Sequence, residues 1–442
     1  MKKIALAGIG VMIITVITMG CNGNRLPPDP VEQDRPKIVE LVTPSDSAFA
    51  VDIQTPITLQ FSEPMDPKTF PQNFSLWIVP DSITTEGSFQ ADGNRITFTP
   101  KQHLETAREY DITLLGHAKD RHGNSISINP EFRKDWEFIT GGTYSEGGFQ
   151  KVLAIDPGAS KIYPIDGLKS SEALTQFKSP TSIAFNASGN EFFVASNSAD
   201  KVLRGYSLAN PSAVLDSFEV GMLQAAMCRS GNYLYVLSLG SATINEIDLS
   251  NKTVQSIPLG AGVVSTSMAS TTDRKVYTTD FVDGSVRIYD FSTGSASGKI
   301  GSVVPARTRI IGIATNPVDQ KIYVLDYTTG EIKEIDGNQV SKTIALDAGT
   351  KPLDISIAED GMAYVSTEKG KVYRVDVASG EIKDAYDFGD KMGGLAVTPK
   401  DELLYVVRSR LAQVVVMLPY SMRPVRKIQL SGTLQDVFIQ PR

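Results

Sequence analysis

One short pattern returns seven times between Gly147 and the C-terminus, and no other feature restricts the fold of this chain as strongly. An apolar pair stands at Val152-Leu153, Phe193-Val194, Tyr235-Val236, Tyr277-Thr278, Tyr323-Val324, Tyr364-Val365 and Tyr405-Val406, in steps of 41, 42, 42, 46, 41 and 41 residues. A second apolar run precedes the later pairs, as in Ile183-Ala184-Phe185 and Ile355-Ser356-Ile357. An apolar residue followed by Asp keeps the same beat at Ile165-Asp166, Ile247-Asp248, Tyr289-Asp290, Ile335-Asp336 and Val375-Asp376. A unit of this length with several short strands cannot bury its apolar faces alone, so it stacks on copies of itself. Periods of about 40–45 residues of this kind mark the blades of a β-propeller.

The ends of the array suggest how it is completed. The first unit lacks a strand before Val152, while Leu434-Gln435-Asp436-Val437-Phe438-Ile439 has the pattern of that missing strand. The expectation for residues 147–442 is a seven-bladed β-propeller closed by the C-terminal strand, because pairing first with last covers the edges an open sheet would expose. The recurring aromatic of each pair, from Phe193 to Tyr405, reads as packing between blades rather than as a sugar-stacking ladder, since it occupies one fixed position per unit. The recurring Asp166, Asp248, Asp290, Asp336 and Asp376 read likewise as turn formers.

Residues 36–142 have strand signals of another kind. Runs such as Ile57-Thr58-Leu59-Gln60-Phe61 and Arg95-Ile96-Thr97-Phe98-Thr99 alternate apolar and polar residues between turn clusters, as strands with one buried face do. The order Phe61-Ser62-Glu63-Pro64-Met65-Asp66, Ile96-Thr97-Phe98-Thr99-Pro100, Lys119-Asp120-Arg121-His122-Gly123-Asn124 and Trp136-Glu137-Phe138-Ile139-Thr140 resembles the bacterial Ig-like domain of surface and lipid-anchored proteins. That resemblance implies a β-sandwich serving as spacer or adhesive module. Asp120 and Asn124 could offer oxygens to calcium, but an Asx turn with Gly123 at positive φ is the plainer account. The repeats in turn resemble the bacterial YVTN-type propeller unit, in Lys321-Ile322-Tyr323-Val324-Leu325-Asp326, Ile332-Lys333-Glu334-Ile335-Asp336 and the run from Lys351 to Gly361. This second resemblance implies a fold and no particular activity.

The first residues carry an address. Lys2 and Lys3 precede sixteen largely apolar residues, Ile4 to Met19, which are too few to span a bilayer of about 20 residues' thickness. Residues 1–20 therefore read as a signal peptide, and Thr18-Met19-Gly20-Cys21 resembles a lipoprotein signal in which Cys21 is acylated. An ordinary cleaved signal or a retained anchor are the alternatives. Residues 21–35, with three prolines and no apolar period, read as a disordered tether. Cys228 is the only other thiol, so once Cys21 is acylated no internal disulfide can form. No His lies near Cys228, which reads as an inert buried thiol.

Composition narrows the chemistry. A formal charge of −7 and a pI near 5.2, with no basic block, argue against nucleic acid as a partner. All three histidines, His103, His117 and His122, fall before residue 142. The repeat region thus lacks the side chain that proton-transfer catalysis and copper, haem or catalytic zinc sites most often recruit. Carboxylates remain. Asp156, Asn197, Leu239, Asp280, Asp326, Thr367 and Arg408 follow the second strand of successive units and should ring one mouth of the channel, with Arg307 and Arg309 entering beside them. The ring could hold a polar ligand or calcium; solvated loop residues would look the same. The expectation is no catalytic residue, no resident cofactor and calcium as the one plausible ion. The reading is a binding or scaffold protein, lipid-anchored in the bacterial cell envelope at the outer membrane, with a protein or glycan partner. The alternative is a lactonase-like propeller hydrolase using the mouth carboxylates.

Overall fold

The computed structural model describes residues 35–441 apart from 47, 80–82, 106–107, 127–132, 141–150, 167–168, 261, 294, 301–308, 338 and 400–402. The signal segment, Cys21, most of the tether and Arg307 lie outside the described residues. The described part is all-β, with short 3-10 turns and no α-helix.

Between Ile38 and Thr140 the alternating runs become two sheets. Ile57–Phe61 buries every second residue, the period that a strand with one covered face requires. One sheet has the order Ile38–Thr43, Ile57–Phe61, Arg95–Pro100, Gly87–Asp92. The other runs Ala48–Val51, Arg133–Thr140, Glu109–Leu115, Phe74–Val79, Ile83–Thr84, its first pair parallel and the rest antiparallel. Phe61, Phe70, Phe98, Ile112 and Phe138 fill the space between them. The Lys119–Asn124 motif forms the turn expected of it: the Asp120 carboxylate accepts the amides of His122 and Asn124, both at 2.8 Å, and Gly123 has φ 91°.

From Lys151 onward come seven four-stranded antiparallel sheets, numbered here one to seven along the chain. Sheets two to seven open on the strands Pro180–Phe185, Gln224–Ser230, Ser265–Ser270, Ile310–Thr315, Pro352–Ile357 and Leu395–Val397. Each of these inner strands of sheets two to six lies against the next one. Sheet one takes its inner strand, Asp436–Ile439, from the C-terminus, where it pairs with Lys151–Asp156. That strand also touches the inner strands of sheets two and seven.

Position within a sheet explains the sequence pattern. Second strands are covered on both faces by neighbouring sheets, so all five residues of Ile322–Asp326 are buried. Phe193, Tyr235, Tyr323, Tyr364 and Tyr405 are at most 1% exposed, which makes the aromatic ladder packing material. Outermost strands face water and carry charge, as in Glu381–Asp387 with Glu381, Lys383, Asp384 and Asp387; such residues deter edge-to-edge pairing.

The sandwich meets sheet seven. The turn before Arg423–Gln429 brings Tyr420, whose hydroxyl accepts the Glu109 amide at 2.9 Å, under the Arg108 guanidinium. Arg423 forms ion pairs with Glu109 and Glu137.

Candidate functional site

Small residues line the centre on the inner strands, Ser182, Ala226, Ser267 and Gly312, and just before the inner strand of sheet seven, Gly394. Side chains this short cannot fill the space at the centre. A cavity of about 880 Å³ results, lined by residues from the inner strands of all seven sheets.

Two carboxylates lie in this cavity, one from sheet six and one from the C-terminal strand. Asp354 accepts the Leu395 amide at 2.9 Å, a bond that crosses from sheet six to sheet seven. Asp436 accepts the Val437 amide at 2.8 Å. Gly394 lies against Asp436, and a β-carbon there would collide with the Asp436 carboxylate. Burial raises the Asp354 carboxyl to about 6, against the stabilising Leu395 amide. Burial also lifts Asp436 well above the usual carboxylate range, and the Asp354 charge adds to it. Such a pair holds on to a proton at a pH where two solvated aspartates would have none. Two cations complete the charged lining. Lys391 stands in the loop before Leu395–Val397, and Arg410 in the exposed turn Ser409–Leu411.

The ring expected from the sequence is differently engaged. Asp156 accepts the amides of Ala159 at 2.9 Å and Thr433 at 2.8 Å, tying the turn of sheet one to the approach of the C-terminal strand. Asp280 accepts the Val282 amide and is paired with Arg287 at 3.0 Å. Asp326 accepts the amides of Thr328 and Thr329, and its second oxygen is buried 3.8 Å from the Lys333 ammonium. Arg408 is held by Asp390 at 2.7 Å and lies over Phe388. Arg309 covers the Phe281 ring. None of these five lines the cavity, so they are not brought together around one space. Asp248, Asp290 and Asp376 each accept an amide two residues on, the Asx turn expected for strand ends. Burial pushes the Cys228 thiol up to about 12, so it stays protonated and unreactive at neutral pH.

Asp354 and Asp436, the residues the ring reading passed over, each sit in a stretch the repeats mark only as an apolar strand. Their one signal was an acidic residue at an inner-strand position that most other units fill with small or apolar residues.

Among solved structures, the chain is similar to a protein of unknown function from Desulfotomaculum acetoxidans DSM 771, with TM-score 0.55, 14% identity, and 66% of this chain and 100% of that one covered. It is also similar to apo AztD from Citrobacter koseri, with TM-score 0.50, 13% identity, and 66% of this chain and 97% of that one covered. At such identities the likeness concerns fold alone. No curated protein matches the chain. Residues 32–140 match the bacterial Ig-like domain family, in agreement with the sandwich described above and with the motifs from Phe61 to Thr140.

Proposed function

We propose that this chain is an exported binding protein of the bacterial cell envelope, anchored by lipid at Cys21, whose seven sheets form a closed propeller. The Ig-like sandwich serves as the spacer that holds the propeller off the membrane, and the propeller takes a protein or glycan partner. The observation that carries the binding role is the cavity of about 880 Å³ that all seven inner strands line. It falls within the range of about 300–1,000 Å³ usual for ligand pockets, and its wall combines the seven inner strands with loop and turn residues such as Lys391 and Arg410. Support for closure comes from the pairing of Asp436–Ile439 with Lys151–Asp156 and its contacts with the inner strands on either side.

A lactonase-like hydrolase built on Asp280, Asp326 and Arg408 draws little support. Each is occupied by its own turn or by a neighbouring ion pair, and none faces the cavity.

Fractionation tests the anchor. The wild-type protein, expressed with its own signal in a Gram-negative host, should partition with membranes and enter the detergent phase. Cys21→Ser should move it to the soluble fraction, and unchanged partitioning would remove lipid anchoring from the proposal. Capture of partners on the exported protein from its own envelope tests the binding role, while turnover of a lactone or ester lost in Asp280→Ala would favour the hydrolase.

A further inference from the structure

The charged groups of the cavity are sorted by element. Its charged lining among the described residues is Asp354, Asp436, Lys391 and Arg410. The two acids belong to the inner strands Pro352–Ile357 and Asp436–Ile439 and line the cavity. The two bases belong to a loop and an exposed turn at sheet seven, on the side where the second strands end. Asp390, next to Lys391, is already held by Arg408, while Lys391 itself lies within the field of Glu368. One space is therefore lined by carboxylates from the strands of two sheets and by cations from the loop and turn of a third.

We propose that the cavity binds a small amphoteric molecule of the short-peptide class, its ammonium on Asp354 and Asp436 and its carboxylate toward Lys391 and Arg410. This inference rests on the binding role proposed above and names the ligand chemistry of that site.

The acids suit an ammonium. A carboxylate pair that retains one proton still offers several acceptor lone pairs, and an ammonium has three N–H donors to place among them. Gly394 matters here because only a residue without a side chain leaves Asp436 room to face the same space as Asp354. A bare divalent cation suits the site less well. Calcium takes about 6–8 oxygens at close range, and one ion would leave most of 880 Å³ to water. Lys391 and Arg410, with long flexible side chains on a loop and an exposed turn, can follow carboxylates at different distances, so peptides of two to four residues should be admitted.

Calorimetric titration of the full exported protein with trialanine, N-acetyl-trialanine, trialanine amide and the doubly blocked peptide tests this. Free trialanine should bind, and blocking either end should weaken it about tenfold or more, the usual value of a charge-assisted hydrogen bond. Asp354→Asn with Asp436→Asn should bind free and N-acetylated trialanine alike. Lys391→Gln with Arg410→Gln should stop distinguishing acid from amide while keeping the preference for a free amine. Asn at 354 retains an acceptor for the Leu395 amide; should the acidic double variant nevertheless lose its folding transition, the basic pair on the exposed side decides by the amide comparison. Equal binding of all four peptides, or no binding into the millimolar range, overturns the proposal. So does calcium binding that disappears in Asp354→Asn without any peptide binding, which marks a cation site instead. If the exported protein still captures an envelope partner when the peptides fail, the binding role stands and only this ligand assignment falls.

Discussion

Asp354 and Asp436 come from units of the array that are not adjacent in sequence, yet they share one cavity because inner strands converge there. Their raised affinity for protons has a stability consequence whose sign can be worked out. The folded Asp354 carboxyl titrates at about 6 against an ordinary 3.8, so the folded state binds the proton more tightly than the unfolded chain does. Its contribution is complete below the unfolded value and is lost as pH rises through the folded one. Asp354→Asn should therefore gain stability relative to wild type between about pH 4 and about pH 7, by roughly 1–3 kcal/mol. Denaturant unfolding at both pH values measures this; parallel profiles for the two proteins would mean the carboxyl is not held as described. Gly394→Ala tests the geometry from the other side. Its β-carbon meets Asp436, so overpacking should cost about 1–3 kcal/mol, and most of that should vanish in an Asp436→Ala background. Asp156, Asp280 and Asp326 stand out in the sequence because they close the second strands of sheets one, four and five, but each serves its own turn. The pair that meets in the cavity occurs once in each of two strands, and a repeat pattern hides what it does not repeat.

The strands themselves were largely legible, since two periods of burial, alternation in the sandwich and near-continuous burial in the second strands, leave different marks on a sequence. The first unit shows the limit. Leu153 pairs with Phe438 and Ala154 with Val437, as Phe193 pairs with Ala184 and Val194 with Ile183. The apolar pair of unit one is thus Leu153-Ala154, one residue later than Val152-Leu153, because an alanine stands where other units place a larger side chain. The borrowed strand was visible as the run from Leu434 to Ile439, and its removal is the direct test of what it does. Deleting Thr433 to Arg442 strips the ladder from Val152 to Ile155, unseats buried Leu434 and Val437, and leaves Asp156 without the Thr433 amide. The loss should far exceed the roughly 0.5–3 kcal/mol of an ordinary substitution. Calorimetry should show the transition of the seven sheets displaced to much lower temperature or replaced by aggregation, with the sandwich transition unchanged. A deletion variant that melts like its parent would mean the C-terminal strand is an appendage.

At the scale of the whole molecule, the joint between the sandwich and sheet seven was not legible at all. Tyr420 and Arg423 belong to no repeat signature, and the groups they meet lie some three hundred positions earlier, as with the Glu109 amide and the Tyr420 hydroxyl. The physical reason for the joint is charge. Glu109, Asp111 and Glu137 bring carboxylate oxygens within 4.8 Å of one another, and Glu109 is only 3% exposed. Like charges so placed need a cation, which Arg423 brings from sheet seven by pairing with both Glu109 and Glu137. Arg108 over the Tyr420 ring adds a second contact across the same seam. Under the proposal that the sandwich is a spacer, such a fastening fixes the angle at which it holds the seven sheets, whereas a flexible leash would not. Arg423→Ala should leave Glu109 buried without its partner and cost roughly 1–3 kcal/mol, with the larger effect on geometry. Small-angle scattering should report a broader distribution of shapes, while the melting of the seven sheets barely moves. Adding Glu109→Gln, which removes the stranded charge, should recover stability without restoring the single shape. An Arg423→Ala protein with the parent's scattering curve would show that the ion pairs decorate the seam and that something else sets the angle.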